Sequence, residues 1–289
     1  MPHASLSQRR ESFRAVLNRP AVTITASVFD AASARLAKEA GYEIGILPGS
    51  IASHAVLAAP DLVALTLTEF ADQAHRITRA SDLPILVDAD HGYGNALNVR
   101  RTVEELETAG IAALTIEDTV LPKRYGSDAA PEFISREELR DKLLAALDAR
   151  SDPSLVIVGR TAALNTLGVE ETAERVRVLS ATGVDAIFVT GINKLEQVEA
   201  VHEATKLPII SGNTPIPADT LASLGVRVLV ERHTAYFVML QALFESYQHL
   251  RAGKPVEGLR GRALSPALQA VVLDEAEYGR LAREYLSGK

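Results

Sequence analysis

Short apolar runs alternate with amphipathic helical patterns along almost the whole of this 289-residue chain. Strands that are covered by helices on both faces read as continuous apolar runs rather than as apolar–polar alternation. Eight such runs occur, at 23–29, 44–47, 85–90, 113–117, 155–160, 186–190, 208–212 and 226–230. Helical patterns follow them, at 31–40, 68–80, 96–109, 136–149, 170–181, 195–204, 218–223 and 236–250.

Four of the helical patterns end in glycine, at Gly41, Gly110, Gly183 and Gly225. Glycine at this position adopts the left-handed conformation that ends a helix before the next strand. Eight β-α units in series predict an α/β fold, a (β/α)8 barrel of the TIM type. An open, doubly wound sheet is the alternative.

We expect one barrel domain over residues 1–289. The barrel and an N-terminal helix would occupy 1–260, and a C-terminal helical extension would occupy 261–289, where a further helical pattern covers 266–286.

Composition excludes several classes of protein. The net charge of −7, without a basic block, argues against nucleic-acid binding. The absence of cysteine excludes disulfides, thiolate metal sites and cysteine nucleophiles, and favours a cytoplasmic location. We found no apolar run of membrane-spanning length and no signal peptide, so we expect no membrane association.

Polar residues or glycine follow each predicted strand, where a barrel places its catalytic groups. The polar ones are Asp30, Ser50, Asp88, Asp90, Glu117, Asp118, Arg160, Asn213, Arg232 and His233. This set contains carboxylates for a cation and basic groups for an anionic substrate, but no obvious nucleophile–base triad.

Asp88 and Asp90 form the clearest pair in this set. Because side chains alternate along a strand, both carboxylates are expected on one face of the run 85–90. Two oxygen anions at a strand end predict a site for a hard cation such as Mg²⁺. The same residues are also typical of a polar strand end with an aspartate turn, and the pair alone leaves that alternative open.

Seven motifs together resemble the isocitrate lyase/phosphoenolpyruvate mutase superfamily over nearly the whole chain, and most closely its oxaloacetate decarboxylase branch. They are SVFDAAS (27–33), GILPGS (45–50), AAPD (58–61), DADHGYGN (88–95), TIED (115–118), GRT (159–161) and RHTAYF (232–237).

The resemblance implies a metal site for Mg²⁺, with Mn²⁺ as the alternative ion. Asp88 matches the direct ligand, and Asp61, Asp90 and Glu117 match acids that hold the metal's water molecules. Outside the resemblance, Asp61 follows a proline and is typical of a turn residue.

The resemblance also implies contacts with an α-keto dicarboxylate. Ser50 matches a substrate-binding position, and Arg160 and His233 match positions that bind the substrate during catalysis. From the residues alone, Arg160 needs a partner, supplied by Glu117 or the substrate, and His233 is typical of a structural hydrogen-bonding residue. His54 and Lys123 are expected in solvated loops, and Asp30 is either a helix N-cap or a site residue.

The implied reaction is Mg²⁺-dependent decarboxylation of oxaloacetate to pyruvate and CO₂, through an enolate whose charge the metal neutralises. Carbon–carbon lyases of the superfamily carry a KKCGH-type motif after the fourth strand, where this chain has LPKRYG (121–126) without the cysteine acid. Ala162 stands where many relatives have asparagine. The alternatives are a lyase acting on a 2-hydroxy diacid such as 2-methylisocitrate, a phosphonopyruvate-type enzyme, and a non-catalytic metabolite-binding barrel.

The resemblance further implies a homotetramer in which the last helices pack on a neighbouring subunit. The apolar residues of the extension that fit this expectation are Leu268, Val271, Val272, Leu281 and Leu286.

Overall fold

The computed structural model describes residues 4–126 and 130–288. Its strands are joined in parallel throughout one sheet. They are β1 (Thr23–Ile24), β2 (Ala26–Ser27), β3 (Gly45–Leu47), β4 (Ile85–Asp88), β5 (Ala113–Glu117), β6 (Val156–Thr161), β7 (Ala186–Val189), β8 (Ile209–Gly212) and β9 (Val226–Val230).

The sheet closes because the first predicted strand is split at Thr25 into β1 and β2. β1 pairs with β9, whereas β2 pairs with β3. Between them, the Thr25 N–H donates to the carbonyl oxygen of Leu229 at 3.0 Å, and the Ala26 N–H donates to that of Ile44 at 3.1 Å. This closure confirms the (β/α)8 barrel and excludes the open sheet.

The helices surround the barrel and continue beyond it. They are α1 (Leu6–Asn18), α2 (Ala31–Glu39), α3 (Gly49–Leu57), α4 (Leu67–Thr78), α5 (Ala96–Thr108), α6 (Arg136–Ala149), α7 (Leu164–Ala181), α8 (Leu195–Ala204), α9 (Ala218–Ser223), α10 (Thr234–Arg251), α11 (Pro266–Leu273) and α12 (Glu275–Tyr285), with a 3-10 helix at Val256–Arg262. The four helix-ending glycines have φ between 84° and 90°, as predicted. None of the helices in the described ranges combines the length and apolarity needed to cross a membrane.

Helix α1 closes the end of the barrel where the strands begin. Phe13 is fully buried in the interior cluster with Ile44, Ala112 and Val156, which lie at the starts of their strands. A second apolar layer fills the space between the sheet and the outer helices. Side chains therefore fill the interior at the end where the strands begin. The opposite end, formed by the strand C-termini, is available for a site.

Four predictions of local structure need correction. The strand predicted to reach Asp90 ends at Asp88. Helix α3 was not predicted, and it places His54 on a helix rather than in a loop. Helix α7 begins before its predicted start and bends at Gly168, where φ is 82°. The extension is two helices rather than one, because Asp274 adopts the left-handed conformation between them.

Helix α11 of the extension lies against α2 of the same chain. The Arg35 Nη1 donates to the carbonyl oxygen of Val272 at 2.8 Å, and Nη2 lies 3.2 Å from Asp274 Oδ2. A groove of about 770 Å³ between α2 and the extension contains charged side chains that pair with one another, and it contains none of the seven predicted site residues.

Candidate active site

A cavity of about 410 Å³ opens at the C-terminal ends of the strands. Ser50, Asp88, Arg160 and His233, four of the predicted site residues, line it. The other lining residues are Ile46, Pro48, Ile51, His54, Phe188, Thr190, Gly212, Asn213, Val230, Glu231, Arg232 and Phe237. The barrel thus gathers residues from six strand ends and two helices around one space.

Arg160 joins two of the predicted metal-site carboxylates. Its Nη1 donates to Asp88 Oδ1, and its Nη2 lies 3.1 Å from Glu117 Oε2. The guanidinium also lies over the Phe188 ring, 5.3 Å from the centroid. Burial opposes the charged form, but Asp88 and then Glu117 raise the pKa of Arg160 above its ordinary value, so it is a permanent cation.

Asp88 is held in place by three donors on one oxygen. Besides Arg160, Oδ1 accepts from Thr115 Oγ1 at 3.3 Å and from the Asp90 N–H at 3.2 Å. These bonds leave the carboxylate at the cavity wall with its orientation set. An oriented carboxylate of this kind has the chemistry of a Mg²⁺ ligand.

Asp90 reaches the same cluster from a turn rather than from the strand. Its φ is 47°, and its carbonyl oxygen accepts from the Glu117 N–H at 2.8 Å. A Cβ added to Gly49 would lie 3.2 Å from both Asp90 carboxylate oxygens, so the start of α3 approaches closely because residue 49 is glycine. Burial, followed by the charges of Asp88 and Glu117, raises the pKa of Asp90 to about 8.

Asp61 completes the acidic cluster from an exposed loop before α4. The protein around its carboxyl, and then the charge of Asp88, raise its pKa above the ordinary value. Burial likewise raises the pKa of Glu117, against the opposing effect of Arg160. Four carboxyl groups, those of Asp61, Asp88, Asp90 and Glu117, thus lie around the single guanidinium of Arg160.

A divalent cation fits this cluster. The donors are all oxygen atoms, which suit Mg²⁺, and added positive charge would relieve the repulsion among them. Among residues 4–126 and 130–288, no group of three or more histidine, aspartate or glutamate side chains is arranged to hold a metal by itself.

His233 and His54 line the same cavity as Asp88 and Arg160. His233 immediately precedes α10, and its Nδ1 lies 3.1 Å from Ser27 Oγ. Burial lowers the pKa of His233, which favours the neutral ring near pH 7. The ring centroid of His54 lies 5.7 Å from that of Phe237, so it belongs to the cavity wall and is not a solvated loop residue as predicted.

Asp118 and Thr161 lie one residue beyond Glu117 and Arg160 and face the outer layer of the barrel. Asp118 is fully buried, and its Oδ2 accepts from Thr161 Oγ1 at 2.6 Å and from Arg175 at 3.1 Å. Asp118 is therefore a structural ion-pair partner that ties β5 and β6 to α7. Asp30 is the N-cap of α2, which accepts from the Ser33 N–H at 2.6 Å, and so also has a structural role.

Sequence reasoning missed α3 and the link between β8 and β9. Asn213 Nδ2 donates to Glu231 Oε2 at 2.8 Å, and both residues line the cavity. Their positions at predicted strand ends were the available signal, but no motif role had been attached to them. Within the loop at 121–126, Lys123 is exposed, as predicted, and so are Arg124 and Tyr125.

Comparisons with known proteins agree with this architecture. Residues 13–251 match the family described as phosphoenolpyruvate phosphomutase. An oxaloacetate decarboxylase from Bradyrhizobium diazoefficiens is 49% identical over 272 residues, which cover 93% of this chain and 94% of the relative. The chain belongs to the oxaloacetate decarboxylase branch of the isocitrate lyase/phosphoenolpyruvate mutase superfamily.

Solved structures place the barrel in the same superfamily. A phosphoenolpyruvate phosphomutase from Streptomyces platensis subsp. rosaceus superposes with a TM-score of 0.87 at 26% identity, and the match covers 96% of this chain and 99% of that one. A phosphonopyruvate hydrolase in complex with oxalate and Mg²⁺ gives a TM-score of 0.84 at 25% identity, with 96% and 99% coverage. Membership of this superfamily identifies the chain as an enzyme.

Proposed function

We propose that this enzyme decarboxylates oxaloacetate to pyruvate and CO₂ with Mg²⁺, or alternatively Mn²⁺, at the strand C-termini. The observation that carries the proposal is the Asp88–Arg160–Glu117 arrangement at the cavity, where an oriented carboxylate meets a permanent cation. The near-full-length similarity to oxaloacetate decarboxylases supports the choice of substrate.

Asp88 would hold the Mg²⁺ directly, with Asp61, Asp90 and Glu117 placed to hold its water molecules. When bound, the metal supplies Lewis-acid stabilisation of the negative charge that develops on the C2 oxygen as CO₂ leaves. A carboxylate and a keto oxygen on adjacent carbons suit such a site because both are hard oxygen donors.

The protein's own groups would bind and orient the keto acid. Arg160 can contact a carboxylate beside the acidic cluster through its Nε, which is buried without a partner in the described structure. His233, whose lowered pKa favours the neutral ring, can hydrogen-bond the substrate at the mouth. The apolar side chains Ile51 and Phe188 in the wall limit hydration, which favours loss of a charged carboxylate as neutral CO₂.

The loop after β5, which is the fourth of the eight predicted strands, favours decarboxylation over carbon–carbon lysis. A lyase needs an acid or base within hydrogen-bond reach of the reacting carbons. In this chain Lys123, Arg124 and Tyr125 are exposed and none replaces the cysteine acid of the lyases. Decarboxylation needs no protein acid before CO₂ leaves, and water can then protonate the enolate.

A panel of substrates tests the proposal. Purified protein with Mg²⁺ should release pyruvate from oxaloacetate faster than Mg²⁺ alone, and oxalate should inhibit competitively because it resembles the planar enolate. The protein should not cleave 2-methylisocitrate or phosphonopyruvate at a comparable rate. Efficient succinate release from 2-methylisocitrate would establish the lyase instead. Thermal stabilisation by oxalate without any product would identify a metabolite-binding barrel.

We also propose that the enzyme is a homotetramer. Within α10, Tyr236 is the one buried residue, and Phe237, Phe244 and Tyr247, which share one side of the helix, are each more than half exposed. An apolar helix face of this kind is typical of a subunit interface. The expectation that the extension also packs on a neighbouring subunit remains a prediction, since α11 lies on α2 of its own chain here.

A further inference from the structure

Two guanidinium groups line the cavity, and only one of them is paired within the described structure. Both terminal nitrogens of Arg160 contact protein carboxylates. Arg232 follows β9 at the mouth and is exposed. Its side chain has no hydrogen bond or ion pair with the residues of 4–126 and 130–288. The cavity therefore presents an available cation in its exposed part.

The neighbours of Arg232 leave its charge available. Glu231 is the adjacent acid, but its Oε2 accepts from Asn213 Nδ2 at 2.8 Å. This bond joins the ends of β8 and β9 and so holds the backbone next to Arg232. His233, the next residue, is tied to Ser27. Arg232 is thus an exposed side chain on a braced backbone, and it lines the cavity.

We infer that Arg232 binds the distal carboxylate of the substrate and so selects dicarboxylates over keto acids with a single carboxylate. This assignment rests on the proposed function, in which the C1 carboxylate and C2 oxygen occupy the metal end of the cavity. The C4 carboxylate then points away from Asp88, towards the mouth. A guanidinium suits it because its planar fork matches a carboxylate.

The chemistry of decarboxylation limits what such a contact does. The C4 carboxylate loses its negative charge as the C3–C4 bond breaks and CO₂ forms, so its attraction to Arg232 is strongest before the reaction. A strong, buried contact would hold back the leaving group. A solvent-exposed one contributes only modestly, so Arg232 should affect KM and not slow the chemical step.

Kinetics of Arg232→Gln test the assignment. We expect KM for oxaloacetate to rise about two- to fivefold, the size of an exposed charge contact, with kcat not lowered. The inhibition constant of oxalate should be unchanged, because oxalate is too short to reach beyond the metal end. Arg232→Lys should fall between wild type and Arg232→Gln. Added salt should raise the wild-type KM more than that of the variant.

Arg140→Gln provides the matched control. Arg140 is an exposed arginine on the outer helix α6, so this variant has the same loss of net charge away from the mouth. It should behave as wild type. Equal weakening of oxalate and oxaloacetate in Arg232→Gln would overturn the assignment, as would an unchanged KM or a fall in kcat alone.

Calorimetry separates this assignment from the proposed function. If the wild-type protein does not turn over oxaloacetate, the proposed function fails, and the Mg²⁺-dependent dissociation constants of oxaloacetate and oxalate then test Arg232 directly. A larger loss for oxaloacetate than for oxalate in Arg232→Gln would support the contact. Equal losses would refute it, and so would a wild-type protein that binds oxalate but not oxaloacetate.

Discussion

Glu117 and Arg160 lie directly opposite each other on β5 and β6, and their side chains form an ion pair of 3.1 Å inside the barrel. One residue further on, Asp118 and Thr161 form a hydrogen bond of 2.6 Å on the outer side. The register of a single strand pair therefore secures Arg160 from both faces of the sheet. Arg160 in turn pairs with Asp88. The position of the proposed metal ligand therefore depends on the register of β5 and β6.

Replacing Asp88 should abolish metal-dependent turnover without unfolding the protein. In Asp88→Ala, Arg160 keeps Glu117 as a partner, so no buried charge is left unpaired. We expect no pyruvate above the Mg²⁺ background and no thermal stabilisation by Mg²⁺ with oxalate. Asp72→Ala, which removes an exposed acid from α4, is the control and should retain both. Full activity of Asp88→Ala in EDTA would refute the mechanism.

Arg160→Lys should reduce activity although it keeps the positive charge. A lysine ammonium lacks the planar fork that contacts Asp88 and Glu117 together. We expect kcat/KM to fall about ten- to a hundredfold, as for the loss of a charged hydrogen bond, mainly through a higher KM. Steady-state kinetics will measure this. An unchanged kcat/KM would mean that Arg160 is structural.

Gly49→Ala should weaken metal binding by displacing Asp90. The added Cβ would lie 3.2 Å from both carboxylate oxygens, so the carboxyl must move by a few tenths of an ångström. We expect Mg²⁺ affinity to fall about tenfold, as for other changes around metal-site carboxylates. Gly261→Ala is the control because its Cβ would meet open space. Equal Mg²⁺ affinities of the two variants, by titration, would count against this role of Asp90.

His91 should make the metal-free protein less stable in acid. Burial, and then the charge of Lys142, lower its pKa from 6.5 to about 4. Below pH 6.5 the unfolded chain takes up a proton that the folded protein resists, so stability falls as the pH drops towards 4.

His91→Gln should remove that part of the pH dependence. Urea unfolding of wild type and variant at pH 6.5 and at pH 4 measures the free energy of unfolding that is compared. Parallel stability curves for the two proteins would show that His91 does not contribute.

The exposed face of α10 should hold subunits together. Phe244→Glu places a charge on this face and should shift the assembly to smaller species in light scattering. Ala242→Glu adds the same charge at an exposed position on the other side of the same helix and should leave the assembly intact. A wild-type monomer at micromolar concentration would refute the tetramer.

Local signals predicted most elements but not α3 or the conformation of Asp90. Helix α3 starts directly after β3, with Pro48 at its N-cap and no side-chain cap, so the usual start signal is absent. Asp90 was expected in a strand because alternation is a local rule. Its positive φ is secured by the bond between its carbonyl oxygen and the Glu117 N–H, a contact between distant parts of the chain.

The sequence by itself determined the number of β-α units, the glycine helix ends and the polar residues at the strand ends, because apolar periodicity and glycine conformation act over a few residues. Only the tertiary structure decided which of those polar residues meet. Asp88, Glu117 and Arg160 come together through strand register, and His54 enters the cavity wall through α3. The raised pKa of Asp90 has the same origin, since burial and the charge of Asp88 and Glu117 exist only once the barrel has closed.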